Sequence, residues 1–151
     1  MYVMDASTPI LKTEDLRMHF PVKGGVFRRA LASCKAVDGV SLSIEHGETL
    51  GLVGESGCGK STFGKTIARL YEPTEGAIRF EGVDLASMSR GQLKLYRREI
   101  QMIFQDPYDS LNPRHTIGTI VEEPFVIHGM GTREERRKWV AELLTKVGLS
   151  E

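Results

Sequence analysis

The residues with the clearest chemical signal are 54–61, whose sequence is Gly-Glu-Ser-Gly-Cys-Gly-Lys-Ser. They match the pattern Gly-x-x-x-x-Gly-Lys-Ser/Thr, which is typical of a phosphate-binding loop. The glycines permit tight turns and let backbone N–H groups approach phosphate oxygens. Lys60 supplies a mobile positive charge for the β- and γ-phosphates, and Ser61 offers a hydroxyl group to Mg²⁺. The pattern therefore predicts that this loop binds a nucleotide through its phosphates.

The segments on either side of the loop have the character that the motif requires. Residues 49–53, Thr-Leu-Gly-Leu-Val, form a nearly uninterrupted apolar run, which predicts a strand buried on both faces of a parallel sheet. Residues 60–71 are helical in pattern, with Phe63, Ile67 and Leu70 on one face. A strand, a glycine-rich loop and a helix in this order place the helix N-terminus against the bound anion.

The remaining pattern alternates short strands with helices. We expect strands at 10–20, 36–44, 77–80, 83–85 and 100–104, an exposed loop at 21–32, and helices at 90–99 and 117–127. Pro124 is expected to end or kink the last of these. Thr132 and Glu135 have the spacing of a capping box, and Gly148 suits the position after a helix C-terminus. The intervening helix carries an apolar stripe of Trp139, Val140, Leu143, Leu144 and Val147.

Composition limits the class of protein. The chain has 151 residues, 40% hydrophobic and 26% charged, which is ordinary for a globular domain. Its 20 basic and 20 acidic residues cancel, so no overall charge favours a nucleic-acid partner. Residues 1–5 lack the basic and apolar regions of a signal peptide, and no apolar run is long enough to span a membrane.

The two cysteines, Cys34 and Cys58, are too few for a disulfide framework and suit a reducing, cytosolic compartment. Cys58 falls in the glycine-rich loop at the start of a helix, where a thiol can become reactive. We interpret it as filling an unconstrained position of the loop rather than as a catalytic group.

The loop alone predicts a nucleotide but not a reaction, because ATPases, GTPases and small-molecule kinases all contain it. Hydrolysis also needs an acid at the end of an apolar strand. Asp106, after residues 100–104, is the candidate, and a kinase or GTPase would use it as a metal ligand. Gln105 interrupts the strand before this acid and Pro107 follows it, which favours a loop instead.

Two motifs resemble those of ABC transporter ATP-binding subunits. Residues 54–62 resemble their Walker A motif, and residues 104–114, Phe-Gln-Asp-Pro-Tyr-Asp-Ser-Leu-Asn-Pro-Arg, resemble their Q-loop. The Ser-Leu-Asn-Pro-Arg extension is similar to the oligopeptide, dipeptide and nickel importer branch, as are residues 19–24 and 36–41. The resemblance runs in order over nearly the whole chain. It implies an α/β fold with a RecA-like P-loop NTPase core, an amino-terminal antiparallel β part and the start of an α-helical subdomain.

The resemblance also implies roles for individual residues, with ATP and Mg²⁺ as the ligands. Lys60 and Gln105 are implied in catalysis, and Ser61 and Gln105 in contacts to Mg²⁺. Phe20 stands where the family keeps an aromatic residue that stacks on adenine, although a core Phe at a strand end explains it equally well. Asp106 becomes a loop residue. The implied nucleotide-binding residues of the loop are Gly54, Glu55, Ser56, Gly57, Cys58, Gly59, Lys60, Ser61 and Thr62.

The resemblance divides the chain into residues 1–104, with the adenine-stacking position and Walker A, and residues 105–151, with the Q-loop and the beginning of the helical subdomain. The family's signature motif, Walker B acids and switch His are not in the sequence. We therefore expect the amino-terminal part of a subunit, cut before the signature, that does not complete hydrolysis by itself. The complete subunit is expected to be a transport-coupled ATPase.

The implied partners are transmembrane permease subunits, a second ATP-binding subunit and, indirectly, a solute-binding protein outside the membrane. The implied location is peripheral, on the cytoplasmic side of the plasma membrane. Two other functions remain open from the residues. One is a free-standing P-loop kinase or GTPase that uses Asp106, and the other is a non-catalytic nucleotide-binding interaction module.

Overall fold

Two long strands, Leu11–Gly24 (β1) and Arg29–Ile44 (β2), form an antiparallel ribbon that is the largest feature of the computed structural model. The structure describes residues 8–24, 29–105 and 111–149. The chain divides into two compact units, Met1–Met102 and Ile103–Glu151.

The first unit contains a four-stranded antiparallel sheet with the strand order β2-β1-β3-β4. Glu75–Phe80 (β3) pairs with β1, and Val83–Asp84 (β4) pairs with β3. The alternating side chains of the strands and one face of the helices form the core. Its buried members are Leu16, Met18, Val37, Phe63, Ile78, Leu85 and Leu93.

The expectation of a loop at 21–32 was wrong for 21–24 and 29–32, because β1 continues to Gly24 and β2 begins at Arg29. Residues 25–28 of this segment lie outside the described part of the chain. Pro21 lies opposite Ser33 within the ribbon. Beyond Arg17, β1 has no pairing to β3, so β2 is the single neighbour of this part of β1 among the residues that the structure describes. Proline is tolerated at such edge positions, since its missing N–H costs a central strand more than an edge.

The expected strands at 49–53 and 100–104 are absent from the structure, where both segments lie outside any ladder. Leu52 is 48% exposed and Val53 91%, so the expectation that 49–53 is buried on both faces was also wrong. In the other segment, Ile103 is 96% exposed. An apolar run indicates a preference for burial, whereas a strand forms only where another strand supplies hydrogen bonds. Among the described residues, no strand pairs with either segment.

Two helices belong to the described part of the first unit. Lys60–Ile67 (α1) is shorter than the expected 60–71 and ends at the C-cap Ala68. Arg69 then adopts a left-handed conformation, with φ +53°. The N–H groups of Arg69 and Leu70 donate to the carbonyls of Thr66 and Lys65, which is a Schellman arrangement with an arginine where glycine is usual. Arg90–Tyr96 (α2) begins with a capping box formed by Ser89 and Gln92.

In the residues of the second unit that the structure describes, there is a pair of helices, Ile117–Ile127 (α3) and Arg133–Lys146 (α4). The rings of Phe125 and Trp139 lie 5.3 Å apart between centroids, and Arg136 donates to Glu122 at 2.9 Å. The bounds of α3 agree with the prediction. Of the two effects expected of Pro124, to end or to kink the helix, the first is wrong, because the helix continues to Ile127. Pro124 removes the one hydrogen bond that its missing N–H would donate, and the turn after it is intact, since the N–H of His128 donates to the carbonyl of Pro124.

Both ends of α4 confirm the sequence prediction. The Thr132 and Glu135 side chains form the capping box, and Gly148 follows the C-cap with φ +79°. The apolar stripe is less buried than its spacing suggests. Val140 is buried, whereas Leu143 is 40% and Val147 71% exposed.

Candidate nucleotide-binding site

The glycine-rich loop connects the extended segment 49–53 to α1, and its shape depends on two left-handed glycines. Gly57 has φ +82° and Gly59, the N-cap of α1, has φ +98°. Such angles are strained for residues with a Cβ atom. Gly59 is further constrained, because a Cβ atom there would collide with the backbone carbonyl oxygen of Ala36 in β2. The long ribbon therefore fixes the point at which the loop turns into the helix.

Lys60 lies across this loop. Its Nζ atom donates to the carbonyl oxygens of Gly54 at 2.7 Å and Glu55 at 2.6 Å, and it lies 3.5 Å from the Sγ atom of Cys58. Because Lys60 is also the first residue of α1, the same turn presents backbone N–H groups that have no partner within the helix. A positive charge and a helix N-terminus thus converge on one loop, which is the arrangement that binds anions.

A cavity of about 370 Å³ adjoins the loop. Cys58, Gly59 and Lys60 line one side, and the β2 residues Lys35 to Asp38 line another. Its volume lies within the range typical of small-molecule sites. The cavity therefore extends the phosphate-binding loop along β2.

Asp38 gives the β2 side of this cavity a fixed negative charge. Its carboxylate accepts hydrogen bonds from Lys35 at 3.0 Å and from the His19 Nε2 atom at 2.9 Å. The hydrogen bond from Lys35, and then that from His19, holds the pKa of Asp38 below its usual value. Lys35 and Asp38 could not be predicted as site residues from the sequence, because alternation along a strand does not show which polar positions will face a distant loop.

The other predicted site residues occupy different surroundings. Ser61 is exposed and Thr62 half-buried in the first turn of α1. Phe20 lies opposite Cys34 in the ribbon, half-buried, and its ring meets the Tyr71 ring edge-on at 5.3 Å. It is not among the residues that line the cavity.

Gln105 is exposed and belongs to the second unit. Within the first unit, the predicted residues 54–62 form one continuous segment, the glycine-rich loop and the start of α1. Asp106, the acid of the kinase or GTPase alternative, lies outside the described residues.

Sequence comparison places these features in a family. A family model described as ABC transporter matches residues 37–151. The oligopeptide transport ATP-binding protein AppF of Bacillus subtilis is 55% identical over 141 residues. The dipeptide transport ATP-binding protein DppF of Escherichia coli is 45% identical over 141 residues. Each alignment covers 93% of this chain but only 43% and 42% of the relative, so the chain spans about two fifths of their length.

Solved structures confirm the fold class. The chain matches a dimeric structure of MJ0796, a bacterial ABC transporter cassette, with a TM-score of 0.73 and 28% identity. It matches the same cassette bound to ADP and Pi with a TM-score of 0.71 and 29% identity. Both alignments cover 93% of this chain and 58% of the cassette. The fold and the loop are those of the α/β P-loop NTPase class. The chain belongs to the ABC transporter family.

Neither membrane spans nor metal clusters were found in the described part of the chain. Its helices are too short or too polar to cross a bilayer. Its His, Cys, Asp and Glu residues do not gather in groups of three or more that could hold a metal ion.

Proposed function

We propose that the chain binds ATP with Mg²⁺ through residues 54–62 and acts as part of the energy-coupling subunit of an importer for oligopeptides or dipeptides. The observation that carries the proposal is the position of Lys60, across the loop and at the first residue of α1. Two carbonyl oxygens now accept its hydrogen bonds, and phosphate oxygens would replace them. The names of the peptide-transport relatives support the solute class.

The glycines of the loop, Lys60 and Phe20 each have a role in this proposal. Gly54, Gly57 and Gly59 allow the backbone to wrap the phosphates, while the N–H groups of the first turn of α1 donate to them. Lys60 neutralises charge on the β- and γ-phosphates. Phe20 stacks on the adenine ring.

Mg²⁺ suits the residues that are present, because it takes only one or two protein ligands alongside substrate phosphates. The exposed Ser61 hydroxyl, one residue after Lys60, supplies one of these ligands. Gln105 supplies a second contact. The ion neutralises charge on the phosphates when bound.

The organisation and partners follow from the same proposal. Residues 1–104 form the amino-terminal part of the ATP-binding core, and residues 105–151 begin the helical subdomain that contacts the membrane subunits. A second ATP-binding subunit completes the hydrolytic site, and a solute-binding protein delivers the peptide. The complete protein hydrolyses ATP on the cytoplasmic face of the membrane, whereas residues 1–151 alone do not turn it over.

Calorimetric titration of the chain with ATP and Mg²⁺ tests nucleotide binding. We expect Lys60→Ala to abolish measurable binding and Lys94→Ala, which removes an exposed lysine of α2, to leave it unchanged. Equal loss in both variants would contradict the site.

A segment exchange tests the transport role. Residues 1–151 would replace the matching segment of the E. coli DppF protein, and uptake of a labelled dipeptide would be measured in cells that lack DppF. The exchanged protein should restore uptake, and the same protein with Lys60→Ala should not. Uptake that does not depend on Lys60 would contradict the energy-coupling role.

A further inference from the structure

A second cavity, of about 290 Å³, lies at the other end of α1. It shares no lining residue with the cavity beside the phosphate-binding loop. Three arginines, Arg69, Arg90 and Arg97, line it together with a single acid, Glu72. The charge around this space is therefore clearly positive, although the chain as a whole is neutral.

Arg69 is the buried arginine of this cavity, with only 9% of its surface exposed. Its Nε atom donates to the carbonyl of Leu85 at 3.0 Å and its Nη2 atom to the carbonyl of Met88 at 3.3 Å. None of the ion pairs within the described residues includes Arg69. A guanidinium group buried without a carboxylate is costly, so a binding anion would recover part of this cost.

The backbone also holds an arginine where glycine would be easier. Arg69 has φ +53° and terminates α1 in the left-handed conformation, which strains a residue with a Cβ atom. The side chain is thereby held under the loop that joins β4 to α2, where it meets Leu85 and Met88.

Arg90 and Arg97 form the open side of the cavity, since both are exposed. The Nη2 atom of Arg97 donates to the backbone carbonyl oxygen of Arg69 at 3.4 Å, which holds the Arg97 side chain beside the Arg69 backbone. One buried and two exposed arginines thus line one cavity, Arg69 from just after α1, Arg90 from the first residue of α2 and Arg97 from its C-cap. Each presents several donors in a planar fork, the geometry that matches phosphate oxygens.

We propose that this second cavity binds a small phosphate-class anion, either free phosphate or the phosphate group of a soluble monoester. Arg69 contacts the inner oxygens, and Arg90 and Arg97 close over the outer ones. Guanidinium pairs with phosphate are charge-assisted and bidentate, which makes them strong relative to contacts with neutral donors. This site is independent of nucleotide binding at residues 54–62.

The test separates the two phosphate sites. The chain with Lys60→Ala, in which the loop is disabled, would be titrated by calorimetry with inorganic phosphate and, in a second series, with glycerol 3-phosphate. Arg97→Gln and Arg98→Gln would then be compared in this background. The two changes are adjacent and remove the same charge from exposed side chains, but only Arg97 lines the cavity.

We expect Arg97→Gln and Arg90→Gln to weaken phosphate binding about tenfold or more, and Arg98→Gln to change it less than about twofold. Tighter binding of glycerol 3-phosphate would identify a monoester as the ligand, and equal or weaker binding would identify free phosphate. The proposal is overturned by absence of binding in the Lys60→Ala chain, or by equal losses in Arg97→Gln and Arg98→Gln. Arg69 is left unchanged because its two backbone contacts also support the fold.

Discussion

The Nζ atom of Lys60 lies 2.7 Å from the carbonyl oxygen of Gly54, at the opposite end of the glycine-rich loop. This hydrogen bond and the one to Glu55 hold the ammonium group inside the loop before any nucleotide arrives. Binding of phosphate therefore exchanges one set of oxygen acceptors for another. The side chain does not have to be ordered first, which reduces the entropic cost of binding.

Lys60→Met tests this arrangement, because methionine keeps most of the length of the side chain but carries no charge. We expect affinity for inorganic tripolyphosphate and for ATP to fall together, each at least about tenfold, since the lost contacts are charge-assisted hydrogen bonds to phosphate. Calorimetric titration with the two ligands measures this. A loss confined to ATP would place Lys60 at the nucleoside rather than at the phosphates.

Phe20→Ser, unlike Lys60→Met, should weaken binding of ATP but not of tripolyphosphate. Stacking of an aromatic side chain on a base contributes about 1–3 kcal/mol, so ATP affinity should fall about tenfold while affinity for tripolyphosphate, which has no base, stays unchanged. Tyr71→Leu is the matched control, because it removes the same edge-on contact from its other side. If Tyr71→Leu weakens ATP binding as strongly, Phe20 acts through packing and not through adenine.

Gly59→Ala should disrupt the loop on the side where it contacts β2. The new Cβ atom collides with the carbonyl oxygen of Ala36, and the alanine must also adopt φ +98°, which strains a residue with a Cβ atom. We therefore expect a lower unfolding temperature and more than tenfold weaker ATP binding. Gly91→Ala, in α2, places its Cβ atom in open space. That variant should keep ATP binding and equal or exceed the parent chain in stability, by up to about 1 kcal/mol. Thermal unfolding and ATP titration of both variants provide the comparison.

Gly131 and Gly129 form a similar pair in the second unit. Both have positive φ, +60° and +66°, but a Cβ atom at Gly131 would lie 2.5 Å from the Trp139 ring, whereas Gly129 has open space around it. Gly129→Ala should cost about 1–2 kcal/mol from backbone strain alone. Gly131→Ala should cost more, because the indole must move away from Phe125. Thermal unfolding of both variants, followed by helical circular dichroism, measures these losses. If the two variants lower the free energy of unfolding equally, the packing of Trp139 against Phe125 contributes nothing to stability.

The capping box of α4 should make its stability depend on pH. The backbone N–H of Thr132, and then its hydroxyl group, donates to Glu135 and lowers the pKa of that carboxyl from its usual 4.5. A lowered folded-state pKa gives stabilisation that is present above 4.5 and is lost as the pH falls through the folded-state value. Thermal unfolding between neutral and acid pH should show this loss.

Two variants isolate the effect. Glu135→Gln keeps an oxygen acceptor without a titrating proton, so this component of the pH dependence should disappear. Glu142→Gln, at an exposed position on the same helix, should leave it in place. Thr132→Ala, which removes the cap itself, should lower the free energy of unfolding by about 1 kcal/mol at neutral pH.

Structural features that depend only on residues close together in the sequence could be predicted well. The bounds of α3, the capping box at Thr132 and Glu135, and the left-handed Gly148 depend on neighbouring residues, and the structure contains all of them. The capping box at Ser89 and Gln92 carries the same signal, Ser-x-x-Gln, and sequence analysis overlooked it. Helix ends are satisfied by side chains within one turn, so a short window contains the information.

Features that depend on distant partners could not be read in this way. The run 49–53 and the run 100–104 have strand composition, but a ladder requires a second strand that composition does not supply. The ribbon extended through Pro21 because Ser33 and its neighbours continued the pairing. In the site, the glycine and lysine positions followed from the motif, whereas the contact of Gly59 with Ala36 links residues 23 positions apart. The buried setting of Arg69 has no local signature either.

Trp139 is the single tryptophan of the chain, and it packs on Phe125 between the two helices of the second unit. Indole emission is therefore an optical probe of the packing of α3 against α4. A melting curve followed by this emission and one followed by the circular dichroism of the whole chain will coincide only if both units unfold as one. Two separate midpoints would mean that the helical pair has a stability of its own.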